Sequence, residues 1–131
     1  MSFLQCAHHF FFFFCKALSE SIKADHGYAN DSPAITRLIE IMGQFKPAEQ
    51  REFLKFITGS PRLPVGGLKA LNPKLTVVRK TPEFGHVADI YLPSAMTCAN
   101  YLKLPDYSSK EVMVQKLKLA MTEGQGSFHL S

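Results

Sequence analysis

The residue of this 131-residue chain best suited to covalent chemistry is a cysteine held in a short turn. Cys98 stands in Leu92-Pro93-Ser94-Ala95-Met96-Thr97-Cys98-Ala99-Asn100-Tyr101-Leu102-Lys103-Leu104-Pro105, between a proline and a segment that reads as a strand. Such a turn exposes a thiol at a sheet edge. A thiol becomes a strong nucleophile when a cation, a helix N-terminus or a histidine lowers its pKa. The sequence supplies none of these locally: the nearest charges are Lys103 and Asp106, and no histidine flanks Cys98. A protease-like Cys–His pair would have to draw on His26, His86 or His129 from afar. Thiol–thioester exchange asks for less, because its leaving group is itself a thiolate. An ordinary cysteine, with a pKa of about 8.5, is a few per cent thiolate at neutral pH. If a partner delivers the thioester in line, positioning carries much of the rate. The plainer alternative is a free cysteine acting as a small buried hydrophobe.

Composition narrows the remaining choices. One domain with one core is the expectation at this length. The net charge of +4 is weakly basic and its Lys and Arg are scattered. Without a dense basic block interleaved with aromatics, nucleic acid is not an expected partner. Three cysteines, Cys6, Cys15 and Cys98, argue against a disulfide framework and for reduced thiols in the cytoplasm or nucleus. No Cys or His spacing fits zinc; Cys6, His8 and His9 form only a partial cluster. Neither a metal nor a cofactor is expected. Phe10 to Phe14 form a homopolymer, but the apolar run is short of the roughly 20 residues that span a bilayer. No Lys or Arg precedes it, as a signal peptide would require. No membrane role is expected, and residues 1–15 read as a phenylalanine-rich leader.

The elements that must position Cys98 follow from periodicity. Leu18 and Ile22, four apart, predict a helix over residues 16–24, stopped at Gly27. Asp31 or Ser32 is a natural N-cap for a second helix with Pro33 in its first turn. Its inner face is Ile35, Leu38, Ile39 and Met42, and Gly43 closes it. A third helix starts at Pro47, buries Phe53, Leu54, Phe56 and Ile57, and stops at Gly59. Residues 60–73 read as a Pro- and Gly-rich connection with a helical turn near Leu68 to Leu71. Gly66-Gly67 lacks the residues of a phosphate loop. Leu75-Thr76-Val77-Val78-Arg79 and Tyr101-Leu102-Lys103-Leu104 predict strands, with a variable loop over residues 81–89 between them. Ser108 and Glu111 read as a capping box for a last helix from Ser109 to about Glu123, with Met113, Leu117, Ala120 and Met121 inward. Helices, then strands, then a helix predict an α+β fold.

Several blocks, in order, resemble the C-terminal lobe of HECT-type ubiquitin-protein ligases. They are Asp25-His26-Gly27-Tyr28; Phe53-Leu54-Lys55-Phe56-Ile57-Thr58-Gly59-Ser60-Pro61-Arg62-Leu63-Pro64-Val65-Gly66-Gly67-Leu68; Leu71-Asn72-Pro73-Lys74-Leu75-Thr76; the Cys98 segment extended through Asp106-Tyr107-Ser108-Ser109; and Glu123-Gly124-Gln125-Gly126-Ser127-Phe128. The resemblance covers residues 16–131 and is nearest the plant KAKTUS-like subgroup and its animal relatives. It implies a HECT C-lobe-like fold, with N-terminal helices followed by a small sheet and a C-terminal helix. By the same resemblance Cys98 accepts ubiquitin as a thioester from a ubiquitin-conjugating enzyme, and a lysine of a protein substrate then takes it. Thr97 would help place the thioester, Leu92 and Pro93 would shape the approach of the ubiquitin tail, and Phe128 would anchor the chain end.

For Leu92, Pro93 and Thr97 the alternative is turn and core packing, and for Phe128 a terminal hydrophobe docked on the lobe. Asp106 and the Ser131 carboxylate are candidate bases for the lysine step. The sequence departs from the family in having Met96 where many members have His, as its nearest subgroup also does, and in residues 1–15. The lobe that recruits the conjugating enzyme is missing from this chain, so a truncated product is expected. That leaves an alternative function: a non-catalytic fragment that binds ubiquitin or a full-length ligase.

Overall fold

Ile22 opens a strand instead of continuing a helix. The computed structural model describes residues 18–60, 62 and 68–123. In it the first helical segment ends at Ser21, and Ile22–Asp25 forms strand β1. The helix expected through residue 24 is therefore corrected. Leu18 and Ile22 are both buried, so the four-residue spacing does report a common core. What overrides the helix is long-range pairing: Ile22 faces Leu75 in a parallel ladder with strand β2, Leu75–Arg79. Gly27 is not a helix stop but part of the turn leaving β1, with φ of 99°. A Cβ there would lie 2.8 Å from the Arg79 Cβ, so this crossing needs glycine for space as well as for backbone freedom.

Two helices follow. Helix α1, Pro33–Gln44, begins after Ser32 as expected, with proline in its first turn. The Ser32 hydroxyl accepts from the Ala29 N–H and does not cap the helix. Ala34, Ile35, Leu38, Ile41 and Met42 are buried, while Ile39 is half-buried. Gly43 does not close the helix; it runs to Gln44, and Phe45 turns inward to pack against Phe53 at 5.9 Å between ring centroids. Helix α2, Pro47–Thr58, starts where Glu49 accepts the Lys46 N–H at 2.9 Å. It ends at Gly59, left-handed with φ of 83°, as expected. Phe53 and Ile57 are buried; Leu54 and Phe56 are half-buried.

A short 3-10 turn at Leu68–Ala70 then leads into β2. Leu75 to Val78 are all buried, because β2 is an interior strand covered on both faces. The sheet has the order β1-β2-β4-β3, with β4 at Tyr101–Leu104 and β3 at Ser94–Met96. β2 runs parallel to both β1 and β4, and β3 runs antiparallel to β4. Helix α3, Lys110–Glu123, lays Met113, Leu117, Ala120 and Met121 on the core. Its start differs from expectation: Ser109, not Ser108, accepts the N–H of Val112. Leu38, Val77, Leu102, Leu104, Met113 and Leu117 are wholly enclosed, so helices and sheet share one core.

The fold is α+β, although one strand precedes the helices. Among the described residues no helix is long and apolar enough to cross a membrane.

Replacing Gly27 by Ala is expected to cost about 1–3 kcal/mol, since both the positive φ and the Arg79 contact resist a Cβ. Equilibrium urea unfolding should show a lower midpoint with an unchanged m-value.

Candidate functional site

Cys98 occupies a 3-10 turn, Thr97–Ala99, that joins β3 to β4. It is a free, exposed thiol. The expected turn between Pro93 and a strand is present, but a further strand, β3, is interposed between the proline and the turn. That strand has no run of β-branched residues to announce it; pairing with β4 makes it, Met96 opposite Tyr101 and Ser94 opposite Lys103. β3 is an outer strand of the sheet, with one edge unpaired among the described residues.

The turn rests on the end of α2. An ideal Cβ on Gly59, the C-cap of α2, would lie 3.9 Å from the Thr97 Cβ, so helix end and turn are in contact distance. Thr97 is exposed, Pro93 is buried and Leu92 is half-buried. These four sequence candidates, Leu92, Pro93, Thr97 and Cys98, are therefore contiguous along one edge: Pro93 packs inward and the other end reaches solvent. Phe128, Ser131 and residues 1–15 lie outside the described residues.

A buried and a half-buried donor fix the segment that enters β3. The Tyr107 hydroxyl donates to the Tyr91 carbonyl at 2.6 Å, and the Lys80 ammonium donates to the Leu92 carbonyl at 2.9 Å. Two successive carbonyls are thus held from beneath. Tyr107 is almost fully buried, and its own carbonyl accepts from Arg37 on α1 at 2.9 Å. Burial pushes the Tyr107 phenol up, assisted by Tyr28 and Asp89, so it remains a neutral donor. Burial pulls the Lys80 ammonium down, with Lys103 adding to the effect, and Lys80 also lies 5.9 Å from the centre of the Tyr91 ring.

A second tie runs from the loop at residues 81–89. Asp89 lies within a 3-10 turn, Ala88–Ile90, accepting the Ser108 N–H at 2.9 Å and its hydroxyl at 2.6 Å. This explains why Ser108 is not the helix cap. Tyr91, Lys80, Tyr107 and Asp89 escaped sequence reasoning, because each acts through a partner distant in the chain. The one signal was the pairing of Asp106-Tyr107-Ser108 with the Cys98 motif in the same block.

Among the described residues no hydrogen bond or ion pair joins an acid or base to the thiol. His86 Nδ1 lies 2.8 Å from the Tyr91 hydroxyl, and His26 lies 3.9 Å from Asp25. Neither forms a pair with Cys98, and His129 is outside the described residues. Asp106 follows the far end of β4, 4.0 Å from Arg79. A four-residue strand at about 3.3 Å per residue separates it from the Cys98 turn, so Asp106 is not placed to serve as a base there. Among the described residues no group of three or more His, Cys, Asp or Glu could hold a metal ion.

This geometry suits a nucleophile whose task depends on location. A family model described as HECT-domain (ubiquitin-transferase) matches residues 4–131. That span begins within the phenylalanine-rich leader. The chain is 59% identical over 116 residues to the E3 ubiquitin-protein ligase TRIP12 of Danio rerio, covering 88% of this chain and 6% of that protein. It is 60% identical over 112 residues to the E3 ubiquitin-protein ligase UPL4 of Arabidopsis thaliana, covering 86% and 7%. It is 55% identical over 114 residues to ubiquitin fusion degradation protein 4 of Saccharomyces cerevisiae, covering 87% and 8%. The chain thus spans less than a tenth of the length of these relatives.

Two substitutions probe the supports. Tyr107→Phe leaves the Tyr91 carbonyl without its donor and is expected to cost about 1–3 kcal/mol in equilibrium unfolding. The Asp89 carboxyl is held below the usual aspartate range by the Ser108 hydroxyl first and the Ser108 N–H second. A depressed folded-state pKa stabilises fully above the unfolded value and loses that contribution as pH falls through the folded one. The Tm difference between wild type and Asp89→Asn should therefore be steady from pH 7 to 5 and shrink below about pH 4. A difference that grew on acidification would contradict the tie.

Proposed function

The chain belongs to the HECT-domain (ubiquitin-transferase) family, and from that premise we propose that it is the cysteine-bearing lobe of a ubiquitin-protein ligase, residues 16–131, with Cys98 as the acceptor of ubiquitin. The observation that supports this reading most is the exposed free thiol at the end of an outer strand, on a turn seated against α2. The thiolate of Cys98 attacks the thioester carbonyl carried by a ubiquitin-conjugating enzyme. A new C–S bond forms, the old one breaks, and the enzyme's cysteine leaves as a thiolate. A lysine amine of a protein substrate then attacks the Cys98 thioester. The amide C–N bond forms, the C–S bond breaks, Cys98 leaves as a thiolate, and the amine loses its proton to solvent or a base. Thiolate replaces thiolate in the first step, so no large activation of the nucleophile is needed and in-line placement dominates.

The named residues divide this work. Thr97, exposed beside the nucleophile, positions the thioester. Leu92 and Pro93 lie at the entry of β3, whose outer edge, unpaired among the described residues, suits an extended ubiquitin tail pairing as an added strand. Phe128 anchors the chain end. The reduced cytoplasm or nucleus is the compartment that keeps Cys98 as a thiol. Within the family we place the chain with the KAKTUS-like plant ligases and their relatives, for which Met96 before Thr97-Cys98 is the supporting feature.

A second reading is a non-catalytic module that binds ubiquitin or a full-length ligase. It is favoured by Phe84, Val87 and Ile90, large apolar side chains exposed on one loop segment.

One assay decides between the two. The chain is incubated with activating enzyme, conjugating enzyme and ubiquitin, with the family's conjugating-enzyme-binding lobe added as a separate polypeptide, and run on non-reducing gels. The expected outcome is an adduct that reductant cleaves and Cys98→Ala abolishes. If none forms, the transfer reading fails, and calorimetric titration with ubiquitin tests the binding reading.

A further inference from the structure

Cys98 is fixed from the residue two places after it. The turn at Thr97–Ala99 begins from an extended Met96 and ends at Asn100, whose backbone is left-handed at φ 52° and ψ 43°. That conformation returns the chain into β4, so that Tyr101 meets Met96 across the hairpin. Asn100 is 7% exposed although it borders an exposed turn. Its side-chain amide donates to the Pro73 carbonyl at 2.7 Å, and its carbonyl accepts the Thr76 N–H at 3.0 Å. Side chain and main chain therefore grip the same short segment, the entry to β2, from which Thr76 also bonds the Lys74 carbonyl at 3.0 Å. Cys98 itself is exposed, two residues before this knot.

We infer that Asn100 is the positioning residue of the nucleophile. It sets the direction in which the Cys98 thiol leaves the sheet by combining a left-handed backbone with a bond to Pro73. The inference deepens, and rests on, the reading of Cys98 as a ubiquitin acceptor. The residue type has a physical reason. Glycine is the default where φ is positive, and asparagine is among the few others that enter this region readily. Glycine would satisfy the backbone but leave the Pro73 carbonyl without the amide. Alanine would lose both features. Aspartate would keep the shape and turn an acceptor toward an acceptor. With no acid or base among the described residues paired to the thiol, placement is where rate can be lost, and small misplacements lower rates by up to about a hundredfold.

The test compares wild type with Asn100→Gly, Asn100→Asp and Asn100→Ala, below the unfolding transition of each. Amide hydrogen exchange across residues 97–101, read by mass spectrometry, reports how firmly the turn is held without any ubiquitin. Single-turnover transfer from charged conjugating enzyme, titrated to saturation with the separate lobe present, gives a maximal rate and a half-saturation concentration. Alkylation of Cys98 by iodoacetamide reports the availability of the thiol.

For Asn100→Gly the expected result is faster exchange confined to residues 97–101 and a maximal rate lowered about tenfold. Half-saturation and alkylation should stay within about twofold. Asn100→Ala, which loses both features, should fall further than Asn100→Gly. A purely structural role would lower the Tm while leaving the maximal rate of the folded protein unchanged, and that result would overturn the inference. So would wild-type exchange in the Asn100→Gly turn, or a parallel loss of transfer and alkylation. If wild type transfers nothing, the acceptor reading fails by itself, and the exchange measurement alone decides whether Asn100 holds the turn.

Discussion

Parallel pairing of β2 with β4 is the constraint on which the rest of the architecture depends. Two parallel neighbours cannot be joined by a tight turn; the chain must leave the sheet and come back. Residues 80–100 make that return. Their route contains the outer strand β3, the turn that carries Cys98, and three groups that fasten the route down: Lys80, Asp89 and Tyr91. The register Val77 opposite Leu102, both fully enclosed, fixes where β4 must begin. It therefore also fixes how far above the sheet the turn stands. A change of register would move the thiol and the core together.

Much of this was legible in the residues, and the parts that were not share a cause. α1 and α2 declare themselves through proline starts and three/four spacing, α2 also through its glycine stop, and Leu75–Arg79 through its β-branched run. β1 was hidden because Leu18 and Ile22 satisfy a helix as well as a helix end followed by a strand. β3 was hidden because three residues of Ser, Ala and Met carry no propensity for it. Ser108 read as a cap because its spacing to Glu111 fits one, but the Asp89 carboxylate competes for the hydroxyl from 19 residues away. Cys98 was visible from its type and its motif. Its supports were not, since Tyr107 to Tyr91 spans 16 positions and Asn100 to Pro73 spans 27. Asp106 was visible and misleading, being close in sequence but at the wrong end of a strand.

The turn that carries Cys98 has no charged side chain from Met96 to Tyr101. The groups that fasten its surroundings mix charged Lys80, Arg37 and Asp89 with neutral Tyr28, Tyr107 and Asn100. Burial pushes both Tyr28 and Tyr107 phenols up, Tyr28 further through Asp106 and against the opposing pull of Arg79. The Tyr28 hydroxyl donates to the Leu104 carbonyl at 2.8 Å, closing the other end of β4. Among the described residues no buried side-chain nitrogen or oxygen lacks a partner. The two tyrosine contacts hold position without ionising near neutrality.

The brevity of β3 has a bearing on how long anything stays beside Cys98. Buried Pro93 blocks the strand at one end and the 3-10 turn ends it at the other, leaving three residues with one side unpaired among the described residues. A guest chain laid along that side gains only a few main-chain bonds, and a second copy of this sheet gains no more. Residence there is brief by construction unless another surface holds the guest. For the proposed transfer, a short berth would favour departure after the carbonyl is handed on, and so repeated cycles over tight capture.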